Sequence, residues 1–360
     1  MLDKIKLEYV ESAWIILYQL TNSNPTLLTA TTNLFQKNLK FVLDQFKDNK
    51  LIFSGLFNAY TEDKIVDRLK TAINFNETHG LHTFQYADSG GLQIVNTGAI
   101  VNDELKRKIT DAGSVERLYE EYFAMFPVEE DIAKKVSDKL NKFKPSFLAI
   151  TCIDDDYPEK LKAFPGTPAI IYVQGDRSLL HCEKSIAFVG TRELDNSSHR
   201  DHGERVVKRL ISTGYDAIVS GLALGSDALG HCAAIKFGGR TIAVLGTPLD
   251  VSYPKENKRL QEEIGAGHLL VSEYPIGVGS FGSYFANRNR TTVALATEGV
   301  VVARAGDKSG TQYAIRICIE QLKPLYILEN NIKEPGYEWV GKYKHKLKVI
   351  RDDFDASNNI

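Results

Sequence analysis

Short apolar runs rich in β-branched residues recur along the chain from residue 147 onward, and longer helical stretches separate them. The eight runs are FLAIT at 147, AIIYVQ at 169, SIAFVG at 185, AIVSG at 217, TIAVLG at 241, LLVSEY at 269, GVVVAR at 299 and PLYIL at 324. Near-continuous apolar runs of this kind are typical of strands covered on both faces. The helical stretches between them supply crossovers, so the pattern predicts an α/β fold with a parallel-rich sheet flanked by helices.

The clearest crossover is the stretch from His199 to Thr213. Its apolar residues recur at helical spacing on one face, and Gly214 follows as a helix C-cap. The residues on this face are Val206, Val207, Leu210 and Ile211. We therefore expect an amphipathic helix that packs on the sheet and ends at Gly214.

The chain changes character between residues 125 and 145. Before this point the periodicity is weaker and mostly helical, as in Asn33–Phe46 and Glu62–Ile73, and Glu129–Lys142 has the pattern of a charged amphipathic helix. A chain of 360 residues is long enough for two domains, because one hydrophobic core rarely serves more than about 250 residues. The predicted division is a smaller, mostly helical N-terminal domain of unassigned role over 1–125, the α/β domain over 126–335, and a polar C-terminal tail over 336–360.

Composition narrows the classes of function. The formal net charge of −2 means that any nucleic-acid site is a local basic patch rather than a basic surface overall. The four cysteines are far apart and none forms a CxxC pair, which argues against a structural zinc site and a disulfide framework. No signal peptide and no apolar stretch of about 20 residues is present, so we expect a cytoplasmic protein without a membrane span or a metal.

Glycine, hydroxyl and basic residues follow five of the apolar runs. Ligands of open parallel sheets bind beyond the carboxyl ends of the strands, so a ligand site is expected at these positions. The five segments are Gly190-Thr191-Arg192, Ser220 to Asp227, Gly246-Thr247-Pro248, Ser272-Glu273-Tyr274, and Arg304 with Lys308-Ser309-Gly310-Thr311. Their recurrence at one edge predicts a phosphate-binding cleft.

Of the five segments, the one from Ser220 to Asp227 has the residues best suited to phosphate binding. Gly221 and Gly225 let backbone N–H groups approach an anion closely, and Ser226 or Asp227 can begin a helix whose N-terminus favours negative charge. Lys308 to Thr311 opens a second helix in the same way. The alternative is a pair of glycine turns that end strands without binding a ligand.

A second candidate is the segment Phe285 to Arg290, FANRNR. Arg288 and Arg290 flank Asn289, and guanidinium groups bind phosphates and stack on bases. The aromatic residues Tyr284 and Phe285, just upstream, offer base-stacking platforms that tolerate any sequence. The alternative is a solvated helix start with surface arginines.

Taken together and in order, these segments resemble the DNA-processing protein (DprA/Smf) family over about half of the chain. The matching segments are YPEKL at 157, PAIIYVQG at 168, GTR at 190, SGLALGSDALGH at 220, GGRTIAVLG at 238, YPKENKRL at 253, SEYP at 272, FANRNR at 285 and KSGT at 308. The resemblance implies a Rossmann-like domain that binds single-stranded DNA and forms a homodimer. It also implies a partner, a RecA-type recombinase that receives the DNA during natural transformation.

The resemblance also implies which residues contact the DNA or its phosphates, and it implies no bond-breaking step, no catalytic residue and no cofactor. The implied contact residues are Arg192, Ser220, Gly221, Gly225, Asp227, Arg288, Asn289, Arg290, Lys308, Ser309 and Gly310. This chain departs from the family pattern in four places. Leu224 and Ser226 stand where arginine and isoleucine are usual, Ala303 and Arg304 replace a glutamate, and we expect no winged-helix extension after the fold.

Two other functions remain open at this point. One is an enzyme of the related nucleotide-binding superfamily that cleaves an N-glycosidic bond, as in phage or mobile-element DNA modification, with Glu273 or Asp227 as the acid. The PGGxGT signature of the phosphoribohydrolases is absent from the sequence. The other is a non-catalytic sensor that binds a nucleotide and pairs with another protein.

A short fragment in the N-terminal third, Asp88-Ser89-Gly90-Gly91-Leu92-Gln93, resembles the DSGG motif of tRNA-guanine transglycosylases. In that family the aspartate, here Asp88, acts on the base being exchanged. The zinc-binding cysteine cluster of those enzymes has no counterpart here, because no cysteine precedes Cys152. A polar Ser-Gly-Gly turn is the simpler interpretation.

Overall fold

The computed structural model describes residues 97–114, 117, 138–194, 196–277, 282–332 and 334–352. The chain forms two compact units, residues 1–133 with 281–283 and residues 134–280 with 284–360. In the first unit the described element is α1 (Thr97–Ala112), where Leu105 and Ile109 are buried. Three predictions lie outside the described residues: the domain boundary at 125, the helical stretches before it and the Asp88 fragment. Of the helix predicted over Glu129–Lys142, the structure describes the part from residue 138, and that part is helical.

A nine-stranded sheet forms the centre of the second unit. Its strands are β1 (Leu148–Thr151), β2 (Ile170–Gly175), β3 (Ser185–Gly190), β4 (Ala217–Ser220), β5 (Thr241–Leu245), β6 (Leu269–Ser272), β7 (Val300–Arg304), β8 (Leu325–Leu328) and β9 (Leu347–Ile350). The order across the sheet is β1-β2-β6-β5-β4-β3-β7-β8-β9. β3 to β9 pair in parallel, whereas β2 is antiparallel to β1 and β6. All eight predicted runs are strands, and the α/β, parallel-rich, Rossmann-like fold is confirmed.

Helices connect the strands and cover the sheet. The helices that follow β1 in the chain are α2 (Glu159–Lys162), α3 (Ser197–Ser212), α4 (Ser226–Lys236), α5 (Lys258–Gly267), α6 (Gly282–Asn287), α7 (Asn289–Leu295), α8 (Gln312–Glu320) and α9 (Glu338–Lys342). Among the described helices, none has the length and apolar character that a bilayer crossing requires.

The crossover predicted at residue 199 is α3. It begins at Ser197, two residues earlier than predicted, because the Asn196 side chain accepts a hydrogen bond of 2.9 Å from the Ser198 N–H. It ends as predicted, with Gly214 in the left-handed region at φ +85°. Its apolar face joins a buried core with Phe188 of β3 and Val301 of β7.

The strand order reverses beside β3. The chain proceeds from β3 through β4 and β5 to β6 in one direction, and then returns to the other side of β3 with β7, β8 and β9. Open α/β sheets bind ligands at the carboxyl edge near such a reversal. The loops that begin there follow Gly190 of β3, Ser220 of β4 and Arg304 of β7.

The C-terminal residues differ from the predicted tail over 336–360. They form α9 and then β9, which pairs with all four residues of β8. Ile350 is buried, and the Trp339 indole donates a hydrogen bond of 2.6 Å to the Ala305 carbonyl. The prediction missed β9 because lysine interrupts its short apolar pattern and hides it among polar residues.

Candidate functional site

The turn that follows β4, from Gly221 to Asp227, is held from several directions. The Asn257 side chain donates hydrogen bonds of 3.0 and 3.2 Å to the carbonyls of Leu222 and Ala223. The Asp227 carboxylate accepts a hydrogen bond of 3.3 Å from the Ala223 N–H. Leu222 is fully buried and takes a left-handed φ of +60°. These contacts give the turn one defined shape.

Gly221 leaves room for the Arg288 side chain. A Cβ atom at Gly221 would lie 1.5 to 1.8 Å from the guanidinium atoms of Arg288. That guanidinium is buried and lies 3.5 Å from the Asp227 carboxylate, with both side chains 6% exposed. Burial lowers the pKa of Arg288, although the Asp227 charge opposes that shift. The structure thus brings Arg288, Asp227 and Gly221 together, but with the arginine beneath the turn rather than on its surface.

Gly225 and Gly190 allow the loops after β4 and β3 to touch. A Cβ atom on Gly225 would lie 2.5 Å from the carbonyl oxygens of Thr191 and Arg192, and Gly225 has a φ of +72°. The Ser226 N–H, at the start of α4, donates a hydrogen bond of 3.0 Å to the Thr191 carbonyl. The Ser226 N–H, which was predicted to bind phosphate at the start of the helix, therefore already donates to a carbonyl of the protein.

A small cleft opens on the outer side of this turn. Its lining residues are Arg192, Gly221, Ala223, Leu224, Tyr253, Pro254 and Phe285. The Arg192 guanidinium lies 6.0 Å from the centre of the Phe285 ring, and the Phe285 and Tyr253 rings are 4.9 Å apart. Tyr253 is 46% exposed, and the Phe285 ring fits closely against Gly246, where a Cβ would lie 2.5 Å away. One exposed cation and two aromatic rings thus meet at the carboxyl edge of the sheet.

Other residues predicted for the site lie outside the cleft lining, where they are buried or form hydrogen bonds within the protein. Arg290 donates a hydrogen bond of 3.1 Å to the Pro165 carbonyl, because two helical residues turn it away from Arg288. Asn289 is buried, and the Ser220 hydroxyl donates a hydrogen bond of 2.5 Å to the Phe188 carbonyl. The prediction that both arginines of the FANRNR segment face one cleft does not match this geometry.

The segment from Lys308 to Gly310 follows β7, the neighbour of β3. Lys308 and Gly310 are exposed, and a Cβ on Gly310 would meet no atom within 4 Å. The Ser309 hydroxyl donates a hydrogen bond of 3.1 Å to the Thr311 hydroxyl and accepts one of 3.2 Å from the Thr311 N–H. Lys308 is thus an exposed cation near the carboxyl edge of the sheet, and it does not line the cleft.

A buried histidine on α4 lies beside the first residue of β5. His231 Nδ1 lies 2.6 Å from the Thr241 hydroxyl. Burial, together with the charges of Arg288 and His268, lowers the pKa of His231 to about 3. His231 is therefore neutral at physiological pH and adds no positive charge to the site.

The two acids considered for N-glycosidic cleavage are absent from the cleft lining. Asp227 faces Arg288 and is 5% exposed, and Glu273 accepts a hydrogen bond of 2.5 Å from the Thr291 hydroxyl. Within the residues that the structure describes, no group of three His, Cys, Asp or Glu side chains is placed to hold a metal ion. The geometry offers cation and ring contacts at the cleft and no carboxylate among its lining residues.

Tyr253 is the site residue that the sequence reasoning passed over. It was part of the matched segment YPKENKRL, but nothing in its local pattern marks it as a cleft residue. The available signal is an aromatic residue placed a few residues beyond the carboxyl end of β5, where an open sheet binds ligands.

Comparison with known proteins identifies the family of this chain. The family model for DNA recombination-mediator protein A matches residues 148–344. DNA processing protein DprA of Streptococcus pneumoniae is 38% identical over 197 residues, which are 55% of this chain and 67% of that protein. The chain spans 44 to 67% of the length of the curated relatives it matches.

Two solved structures are similar as well. The crystal structure of S. pneumoniae DprA matches with a TM-score of 0.55 and 28% identity, covering 78% of this chain and 88% of that one. DprA of Helicobacter pylori, solved for its single-stranded DNA binding mode, matches with a TM-score of 0.50 and 29% identity, covering 59% of this chain and 94% of that one. The family model alone covers more than half of the sequence, and the fold and the motif order agree with it. The chain belongs to the DNA recombination-mediator protein A family.

Proposed function

We propose that this protein binds single-stranded DNA in the cleft between Arg192, Phe285 and Tyr253. The observation that carries the proposal is the meeting of one exposed guanidinium and two adjacent aromatic rings at the carboxyl edge, beside the strand-order reversal. Guanidinium groups hold phosphates, and aromatic rings stack on bases of any sequence. The pair of contacts therefore suits a polynucleotide strand without sequence preference.

The residues beneath the cleft have a separate role in this proposal. Arg288 and Asp227 support the turn at Gly221, and Asn257 fixes its carbonyl groups. A preformed turn lets a strand bind without ordering the loop first, which lowers the entropic cost of binding. Arg288 thus acts through Gly221 rather than by touching DNA, while Arg192 and Lys308 supply the cations that reach solvent.

The biological setting is proposed from the family. The H. pylori relative was solved for its binding of single-stranded DNA, and the family is named for mediating recombination. We infer that this protein shields a single strand in the cytoplasm and hands it to a RecA-type recombinase during natural transformation, acting as a homodimer and without cleaving a bond. In this proposal residues 126–335 form the DNA-binding domain.

Binding of a fluorescent 20-nucleotide oligothymidylate at several salt concentrations tests the proposal. We expect wild-type protein to bind with a clear salt dependence, and Arg192→Ala to flatten the slope of log K against log salt by about 0.7, the value for one phosphate on a single strand. Phe285→Ala should weaken binding by about 1–3 kcal/mol, the contribution of one stacked base.

Arg316 provides a matched control for Arg192. It is also an exposed arginine beside an aromatic ring, 4.7 Å from the centre of Tyr313, but it lies on α8 outside the cleft. Arg316→Ala should bind like wild type. Equal losses in the Arg192 and Arg316 variants, or no binding by wild type, would overturn the proposed function.

The handover needs its own measurement. Wild-type protein should accelerate the loading of a RecA-type recombinase on single strands, and Arg192→Ala should reduce the acceleration as much as it reduces DNA binding. Acceleration that is unchanged in the variant would separate the recombinase role from the cleft. Sedimentation velocity tests the homodimer, and a monomer at all concentrations would contradict it.

A further inference from the structure

A second positively charged surface lies at the far edge of the sheet, away from the cleft. Between Glu338 and Asp352 the sequence has five lysine or arginine residues and no acid. All five are exposed in the structure. We call this surface the β9 basic strip, and its residues are Lys342, Lys344, Lys346, Lys348 and Arg351.

The strip lies around an edge strand: Lys348 is on β9, Lys346 and Arg351 flank it, and Lys342 and Lys344 precede it in the chain. β9 pairs with β8 over four residue pairs, and Ile350 is buried in the core behind it. Asp352 accepts hydrogen bonds of 2.9 and 2.7 Å from the Arg205 guanidinium, which fixes the end of the strip to α3. The backbone that carries the five cations is therefore ordered, so a ligand has to restrict only their side chains.

The positive charge of the strip is not neutralised by ion pairs within the described part of the chain. Among the ion pairs of the described residues, none involves these five cations. The whole chain has a net charge of −2, so five adjacent cations are a strong local departure from the average. The family match ends at residue 344, which leaves most of the strip outside the part shared with the family.

Charge decides which occupant fits this edge. An unpaired strand edge can join the same edge of a second copy, but two copies would bring five cations against five. A polyanion removes that repulsion and releases counterions on binding. Among the described strands β9 pairs with β8 alone, and the charge beside this edge favours a nucleic-acid strand over another copy of the chain.

We propose that the β9 basic strip is a second contact surface for the single strand held in the cleft. This inference rests on the proposed function. β4, which leads to the cleft, and β9 are separated by four strand spacings in the order β4-β3-β7-β8-β9. At about 4.8 Å per spacing the lateral separation is about 19 Å. β9 is parallel to β4, and Lys344 and Lys346 precede it, so they lie toward the amino end of the strands, whereas the cleft follows the carboxyl end of β4. Four residues along the strands add about 13 Å, which makes the direct separation about 23 Å. A stacked strand advances about 3.4 Å per nucleotide, so about seven nucleotide steps span it.

Oligonucleotide length separates the two surfaces experimentally. A 5-nucleotide oligothymidylate fills the cleft without reaching β9, and a 20-nucleotide one reaches both. We expect Lys344→Ala/Lys346→Ala to bind the short strand like wild type. For the long strand, the same variant should lower the slope of log K against log salt by about 1.4, which is about 0.7 for each of two phosphate contacts.

Lys142→Ala/Lys144→Ala is the matched control. It also removes two exposed lysines one residue apart just before an edge strand, but that strand is β1, at the opposite edge of the sheet. The control should bind both strands like wild type. Far-ultraviolet circular dichroism and gel filtration of all variants monitor folding and aggregation.

The possible outcomes have distinct meanings. If the Lys344/Lys346 variant binds the long strand with the wild-type slope, the strip is not a DNA surface, and the inference fails while the proposed function stands. The same holds if the variant only aggregates, because the lysines then serve to block edge pairing. If wild type binds neither strand, the proposed function itself fails.

Discussion

The contact between Gly221 and Arg288 gives the sharpest structural prediction. In Gly221→Ala the new Cβ would lie 1.5 to 1.8 Å from three guanidinium atoms, so the Arg288 side chain has to leave its place. The Asp227 carboxylate, 6% exposed, then loses its cation. Breaking a buried ion pair costs about 3–5 kcal/mol, and the long separation of 3.5 Å favours the lower end.

Urea unfolding measures this loss. The chain has two tryptophans, so a Trp14→Phe background leaves Trp339, which is buried in the second unit, as the fluorescent reporter. We expect Gly221→Ala to lower the free energy of unfolding by about 3 kcal/mol. Gly267→Ala is the control, because a Cβ there meets no atom within 4 Å. Its effect should stay within about 1 kcal/mol.

A double-mutant cycle assigns the loss to the guanidinium. In an Arg288→Ala background the Cβ at position 221 enters vacated space, so Gly221→Ala should cost little there. The two substitutions should therefore show a coupling energy of about 2–3 kcal/mol. Additive losses, or an unchanged free energy of unfolding in Gly221→Ala, would refute the role assigned to Arg288.

Three further predictions concern single positions. Leu224→Arg places a second cation in the cleft lining and should steepen the salt dependence of oligothymidylate binding by about 0.7, whereas weaker binding at low salt would contradict the cleft assignment. His231 has a folded pKa of about 3, below the usual value near 6.5, so its contribution to stability is complete above about pH 6.5 and is lost as the pH falls toward 3. Urea unfolding of wild type and His231→Gln at several pH values tests this. The variant should lose less stability than wild type as the pH falls, and identical pH profiles would contradict the prediction. Asp352→Asn should cost at most about 1 kcal/mol of unfolding free energy, because its partner Arg205 is 50% exposed, and a larger loss would mean that β9 depends on this pair.

The sequence was sufficient for most of the sheet and for the loops that meet at its carboxyl edge. Continuous apolar runs identified β1 to β8, and the residues that follow β3 and β4 do meet at the carboxyl edge. β9 was missed because it is only four residues long, one of them a lysine, and only Ile350 is buried. β1 and β2 pair antiparallel at one side of the sheet. This direction also depends on tertiary contacts, which the hydrophobic periodicity of the sequence does not specify.

The direction of individual side chains was harder to predict than the loops that carry them. Arg288 and Arg290 look equivalent in the segment FANRNR, yet the helical turn sends one under Gly221 and the other to the Pro165 carbonyl. Tyr253 joins the cleft through a loop after β5, and no local pattern relates it to Phe285. Such pairs depend on long-range packing, which a single sequence specifies only through the whole fold.

Ultraviolet crosslinking of an oligothymidylate to the full chain, followed by mass spectrometric mapping, tests the central claim most directly. The account predicts that the crosslinked residues are Tyr253 and Phe285 and that Arg192→Ala lowers the yield at both. Crosslinks that fall on Tyr313 or other rings away from the cleft, with none at these two residues, would contradict it.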